Sequence, residues 1–328
     1  MSLTLREKQR LYHSLAQLVR PGIPFPSALD KLAPSARGDA RRLIEAARKS
    51  LHSGHTVGEA FAAQPSIVTP LEIAVISAVE KSGHLERGLS ELSEYFGSLH
   101  QARVKIRDRC AYPIFLLHFG ILVLNVPTMV LKDAHQYWHD VGTAFFFFYG
   151  AILIVALATP LLRDGAEGIA ALDRLLISIP LLGNIRRAFA LSRFCTVYGM
   201  QLDAGINVID SVQSAGRSSL SGLVRSAVDS ALPRIRAGSQ VGPLLAASDA
   251  FPTDLTQALI VGEETGSLDD ELRRMAREFR DRALSALERF ADWLPKVIYV
   301  AIVMYLGWKM LGLIQTTIVP YYRAGLGE

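Results

Sequence analysis

Gly262-Glu263-Glu264-Thr265-Gly266-Ser267-Leu268 reads as a helix stop followed at once by a helix start. A second version, Glu80-Lys81-Ser82-Gly83-His84-Leu85, lies 183 residues earlier. Gly22-Ile23 and Gly205-Ile206 keep the same offset of 183. Two unrelated segments rarely hold one register over such a distance. A period this long indicates duplicated domains, not a solenoid of short repeats. Gly54 and Gly238 are offset by 184, so one residue has been inserted in a loop, where insertions cost little. Gly83 and Gly266 suit the left-handed position after a helix end. Ser267 with Asp270 has the spacing to cap the next helix. Glu80 and Glu263 then fall in the last helical turn, where a carboxylate opposes the helix dipole and requires a partner. Backbone N–H groups of the following helix, or an arginine, would supply it; a contact for a protein partner or a cation is the functional reading.

The remaining pattern predicts an all-α chain. Leu11, Leu15 and Leu18 recur at helical spacing, as do Leu43, Ala47 and Leu51, and strand-like alternation is absent. Breaks at Pro21-Gly22, Pro24, Pro26, Pro34, Gly54, Pro65 and Ser82-Gly83 divide residues 3–110 into about six helices. Thr56 with Glu59 is a capping-box pair. The layout repeats after Gly205. The last helix of each copy starts near Leu85 or Leu268 and is expected to run through Tyr112-Pro113 or Leu294-Pro295 into a membrane. A proline there kinks a helix without ending it. Such a rod either passes movement to the spans or only positions the domain.

Half of the 328 residues are hydrophobic and the mean hydropathy is +0.25, high for a soluble protein. Three stretches hold much of the excess: about 113–131, 142–162 and 294–319. Each has roughly the 20 residues that cross a ~30 Å hydrocarbon core. His118, Asn125 and Pro127 interrupt the first. Arg103, Lys105, Arg107 and Arg109 precede span one, and Arg280, Arg282, Arg289 and Lys296 lead into span three. Only Lys132 lies in the intervening hairpin loop, so positive charge places the N-terminus in the cytosol. The domain reading is therefore a cytoplasmic helical domain over 1–110, a span over 111–131, an extracytoplasmic loop over 132–141 and a span over 142–162. A second cytoplasmic domain over 163–293, a span over 294–319 and an extracytoplasmic tail over 320–328 complete it. The charged start, Thr4 to Arg10, lacks the apolar core of a cleavable leader.

The net charge of +4 follows the membrane-proximal arginines and does not form a separate patch, which disfavours nucleic-acid binding. Cys110 and Cys195 fall on the cytosolic side, where thiols stay reduced, and lack metal-ligand spacing. No phosphate-binding Gly-x-x-x-x-Gly-Lys-(Ser/Thr) loop, His-Glu-x-x-His, Gly-x-Ser-x-Gly or Cys-x-x-Cys pair occurs. The expectation is no enzyme, no cofactor and no catalytic or metal residues. His135 and His139, with Asp140, have the spacing of a metal pair, but Tyr137 and Trp138 between them favour a membrane–water interface. Lys309 lies inside the third span, where it either snorkels outward or packs on a polar surface such as His118 and Asn125.

Together these residues resemble the inner-membrane platform proteins of type II secretion systems and type IV pili. The resemblance rests on Pro21-Gly22-Ile23 and Ala204-Gly205-Ile206, on Gly262 to Leu268, on Tyr112-Pro113 and on the order of three spans. It marks Gly22, Glu80, Gly83, Gly205, Glu263, Thr265 and Gly266 as family-motif or partner-contact positions. It implies a bacterial inner-membrane scaffold between a cytoplasmic hexameric assembly ATPase and pilin or pseudopilin subunits, associated with other inner-membrane assembly components and with further copies of itself. Val79 departs from the family's usual glycine and Leu294-Pro295 from its common Glu-Pro, and the sequence begins almost directly with the expected first domain, whereas many members carry an extension before it. An oligomeric transporter or permease subunit is the alternative, since transporters also carry internal repeats. Here, however, the second span has no counterpart. A membrane-bound enzyme would need a richer polar set than His118, Asn125 and Lys309.

Overall fold

The computed structural model describes residues 3–131, 133–168, 173–174, 177 and 182–314. Among them there are fourteen helices and no strand. In chain order these are α1 (Leu5–Val19), α2 (Phe25–Leu32), α3 (Gly38–His52), α4 (Val57–Ala62), α5 (Pro70–Lys81), α6 (Leu85–Leu124) and α7 (Val126–Leu131). Then follow α8 (Ala134–Gly168), α9 (Leu182–Asp203), α10 (Val208–Ser218), α11 (Gly222–Arg236), α12 (Val241–Ala246), α13 (Thr253–Thr265) and α14 (Leu268–Leu313). The chain divides into two compact units. One comprises Met1–Ala102 with Arg163–Leu287, the other Arg103–Leu162 with Glu288–Glu328.

Local chemistry fixes the helix starts of the first unit. Thr4 with Glu7, Thr56 with Glu59 and Thr69 with Glu72 form complete capping boxes at α1, α4 and α5. Each satisfies two backbone donors that a helix start leaves without partners. Asn207 and Ser221 cap α10 and α11 with single side-chain bonds. The apolar faces meet in one continuous core. Tyr12, Leu15, Phe61 and Val75 of the first helical segment share it with Phe194, Tyr198, Val212 and Leu255 of the second. Helix α5 is central, packing on α4, α9 and α10. Each large apolar side chain fully buried there contributes about 1.5–3 kcal/mol.

The second unit has the opposite surface. The large apolar residues exposed among the described residues lie between Tyr112 and Leu157 or between Trp293 and Ile314, apart from Leu182, Val208 and Val261. Helix α14 is long and apolar enough to cross a bilayer. It passes through Pro295 as α6 passes through Pro113, both without a break. The 142–162 stretch lies within α8. The first apolar stretch is not one helix: α6 stops at Leu124, Asn125 forms a turn and α7 follows. Within the stretch 132–141, helix α8 already begins at Ala134. Asp133 Oδ1 accepts the Gln136 N–H at 2.7 Å, an N-cap that starts α8 at Ala134. The tail over 320–328 and Lys132 lie outside the described residues.

Candidate functional site: two carboxylate clamps

The paired motif builds the same object twice. Glu80, in the last turn of α5, accepts the Val57 N–H at 2.6 Å and the Gly58 N–H at 2.8 Å, one on each carboxylate oxygen. Glu263, in the last turn of α13, accepts the Val241 N–H at 2.7 Å and the Gly242 N–H at 2.9 Å in the same way. The donors are the first N–H groups of α4 and α12. A carboxylate misplaced at the end of its own helix thus sits on the positive end of a neighbour. Sequence reading placed these donors in the following helix, and the structure places them in the preceding one. The cause is side-chain direction, since a helical side chain leans toward the N-terminus of its own helix. It therefore reaches back across to a packed neighbour.

Close approach makes the clamp. A Cβ at Gly58 would stand 2.2 Å from Ser77 Oγ, and one at Gly242 would stand 2.8 Å from the backbone nitrogen of Ile260. Beyond each glutamate the chain turns through Gly83 and Gly266 at φ +75° and +72°, the left-handed conformation expected of them. His84 N–H and Ser267 N–H then bond back to the carbonyls of Val79 and Gly262 at 2.9 and 3.1 Å. Thr265 Oγ1 bonds the Val261 carbonyl and, at 2.7 Å, Ser267 Oγ, so Ser267 is engaged with Thr265. Gly22 and Gly205 also turn with positive φ after α1 and α9.

The two motifs differ at one contact. Gly262 lets the end of α13 close on Leu268, whose Cα a Cβ would meet at 2.9 Å. The first segment has buried Val79 at that place, and a Cβ on Gly88 would stand 2.5 Å from Val79 Cγ2. The departure at Val79 is therefore matched by a glycine on the facing helix. Near the second clamp, burial and then the charge of Glu263 push the Tyr198 hydroxyl above its ordinary range. That hydroxyl has no hydrogen-bond partner among the described residues. The clamps fix backbone and leave both oxygens of each carboxylate already bonded, an arrangement suited to holding loop shape.

Among the polar candidates of the apolar stretches, His118 and Asn125 have different partners. His118 Nδ1 lies 2.7 Å from the Ile114 carbonyl and Nε2 lies 2.6 Å from Tyr149 Oη. A carbonyl oxygen only accepts, so Nδ1 carries the hydrogen of that bond. Asn125 is fully buried, and its Nδ2 donates to the Ile121 carbonyl at 2.6 Å and to Tyr305 Oη at 3.3 Å. Lys309 lies in α14, and its side chain is outside the described part of the structure. His139 faces Asp140 at 3.7 Å, and no group of three metal-binding side chains occurs among the described residues.

Some paired residues escaped the sequence reading. Lys8 and Glu72, both nearly fully buried, form an ion pair at 2.5 Å, and the Tyr12 hydroxyl donates to the same carboxylate. Lys8 also lies 5.0 Å from the Phe96 ring centre. A lysine early in an amphipathic helix carries no local sign of burial. Lys105 pairs with Glu288 at 2.7 Å, and Arg109 pairs with Asp292.

A sequence model of the family described as "Type II secretion system (T2SS), protein F" matches residues 11–130 and 194–316. The chain belongs to this family. It is 24% identical over 329 residues to Type II secretion system protein F of Vibrio cholerae, covering 93% of this chain and 79% of that protein. It is 22% identical over 321 residues to Type IV pilus assembly protein PilC of Myxococcus xanthus, covering 91% and 76%. A PilC of Thermus thermophilus is 25% identical over 289 residues, covering 82% and 71%.

Proposed function

We propose that this protein is the inner-membrane platform of a machine that assembles a pilus or a secretion filament. The helical unit faces the cytosol and receives an assembly ATPase. The hairpin unit, with spans over 111–131, 142–162 and 294–319, meets pilin or pseudopilin subunits in the bilayer. The N-terminus is cytoplasmic and the C-terminus extracytoplasmic, and the protein works as an oligomer. Its role is to couple ATPase motion to subunit addition, without chemistry of its own.

The observation that carries this reading is the family match over both halves of the chain, whose two stretches start at residues 11 and 194, 183 positions apart. That spacing supports two copies of one helical domain, as do the two matching clamps. Duplicate domains on one anchor offer two similar docking surfaces at high effective concentration. The loops shaped by Gly22, Gly83, Gly205 and Gly266 are the proposed partner contacts, with Glu80, Glu263 and Thr265 holding their form. The exposed apolar belt of the second unit supports lipid contact.

Cross-linked purification of tagged protein from native membranes tests the reading, with partners identified by mass spectrometry. Recovery of a hexameric cytosolic ATPase together with pilin-like subunits is expected. Clean recovery of the protein with neither would shift the assignment to a transporter, with substrate flux in liposomes as its positive test.

A further inference from the structure

Inside the helical unit, α5 and α6 receive α9 and α10. Helix α5 packs on both, and its Leu71 and Val75 stand beside Ser192 and Thr196 of α9. From α6, Arg87 Nη1 donates to Asp203 Oδ2 at 2.8 Å, and Tyr95 Oη accepts from Arg193 Nη1 at 3.4 Å. The matching faces, 183 residues away, do not meet in return. Helix α13 packs on neither α1 nor α2 among the described residues. Ala78 of α5 is fully buried, yet Val261, at its place on α13, is 50% exposed. Asp270 and Glu278 of α14 stand 183 positions after Arg87 and Tyr95, and Arg20 and Arg10 of α1 stand 183 before Asp203 and Arg193. Arg10, Arg20 and Asp270 are exposed and Glu278 is half-exposed.

We propose that α1 and α2 of a second copy of this chain dock on α13 and α14, in the place that α9 and α10 take on α5 and α6 within the chain. The inference rests on the duplicated domains and the oligomer of the reading above, and it names the two faces that meet. Charge complementarity singles out the occupant. Where the chain joins Arg87 to Asp203, the open faces offer Asp270 and Arg20, the same pair with its charges exchanged. Where it joins Tyr95 to Arg193, they offer Glu278 and Arg10. The side chains of Arg10 and Arg20 have no hydrogen bond or ion pair among the described residues. Asp270 and Glu278 do pair with arginines of their own helix, Arg273 and Arg282. Exposed pairs of that kind are weak, and a carboxylate accepts from more than one donor, so both acids can take a second guanidinium. The same docking covers Val261. The contact is head-to-tail, so each copy gives one face and receives on the other.

The test uses full-length protein in native membranes, with Arg20→Cys and Asp270→Cys placed on two differently tagged copies and a short bis-maleimide as the probe. Cys110 and Cys195 are both buried, so the unaltered chain serves as the blank. The expected product is a cross-linked dimer carrying both tags, formed when the two variants are expressed together and by neither alone. Charge exchange gives a second readout in mild detergent. Arg20→Asp should weaken self-association several-fold, the double change R20D/D270R should restore it, and the wild-type association should weaken in high salt. A dimer formed by either cysteine variant alone would overturn the proposal, because like faces would then be meeting. Linkage of Arg20→Cys only to a different protein would overturn it too, as would a double exchange no better than the single change. Light scattering separates the layers of the argument. An oligomer whose mixed variants do not link refutes these faces alone, and a chain that is monomeric and unlinked refutes the oligomeric reading beneath them.

Discussion

Lys105 Nζ lies 2.7 Å from Glu288 Oε1, and the two residues are 183 positions apart in the chain. Arg109 and Asp292 have the same separation and are also ion paired. A residue that meets its own counterpart is what a two-fold axis produces in an isologous pair. In a true two-fold pair, like would meet like. Here each meeting joins opposite charges.

Charge exchange tests this relationship. Lys105→Glu sets two carboxylates face to face, and Glu288→Lys sets two amines together. Each single change should lower the melting temperature of the detergent-solubilised protein, and the double exchange should restore it. The side chains are 42% and 50% exposed, so the effects should be small and shrink in high salt. The Lys105 hydrogen bond, and then its charge, holds the Glu288 carboxyl below its ordinary 4.5. A depressed folded-state value gives stability that is present above the unfolded value and is lost as pH falls through the folded one. The pair should therefore persist at neutral pH and fail below 4.5. Lys105→Met should raise the titration point of Glu288. Single changes that leave melting unaltered at low salt would remove any stabilising role.

Removing a clamp acts on two donors at once. Glu263→Ala strips the Val241 and Gly242 N–H groups of their acceptor and should cost about 2 kcal/mol in urea unfolding. Glu263→Gln keeps one good acceptor and should cost less. Glu80 variants should behave alike, because the geometry is the same. If Glu263→Gln instead melted as wild type while filament assembly failed, the carboxylate would be serving a partner.

The buried trio of Lys8, Tyr12 and Glu72 should behave as a unit. Its counterparts 183 residues on are Leu191, Cys195 and Leu255, an apolar set. Glu72→Leu alone strands a buried ammonium and should cost about 3–5 kcal/mol. It also breaks the α5 capping box. The combination K8L/Y12F/E72L should recover most of that loss, because apolar replacement of a whole buried ionic group is often near neutral. Thermal unfolding of the two variants side by side decides the point. Equal losses would mean that Glu72 matters through its cap and not through Lys8.

Features written in neighbouring residues were legible. Thr56 with Glu59 forms its capping box, Gly83 and Gly266 turn left-handed, and the helices run on through Pro113 and Pro295. Features set by distant residues were not. Glu80 finds its donors more than twenty residues back, and Lys8 finds Glu72 sixty-four residues ahead. Hydrophobic periodicity ranks a lysine as exposed whatever lies opposite it. Asn125 illustrates a subtler failure. Its polarity was visible as an interruption, but its hydrogen bond to the Ile121 carbonyl accompanies the end of the helix at Leu124.

Val79 and Gly88 carry a lesson about variation. A side chain fits at the end of α5 only because none stands on the facing turn of α6, and in the second motif Gly262 yields while Glu271 occupies the position matching Gly88. The requirement for a missing side chain belongs to the pair of surfaces and not to a column of the sequence. Across relatives, the two positions should covary: a bulky residue at one should accompany glycine at the other.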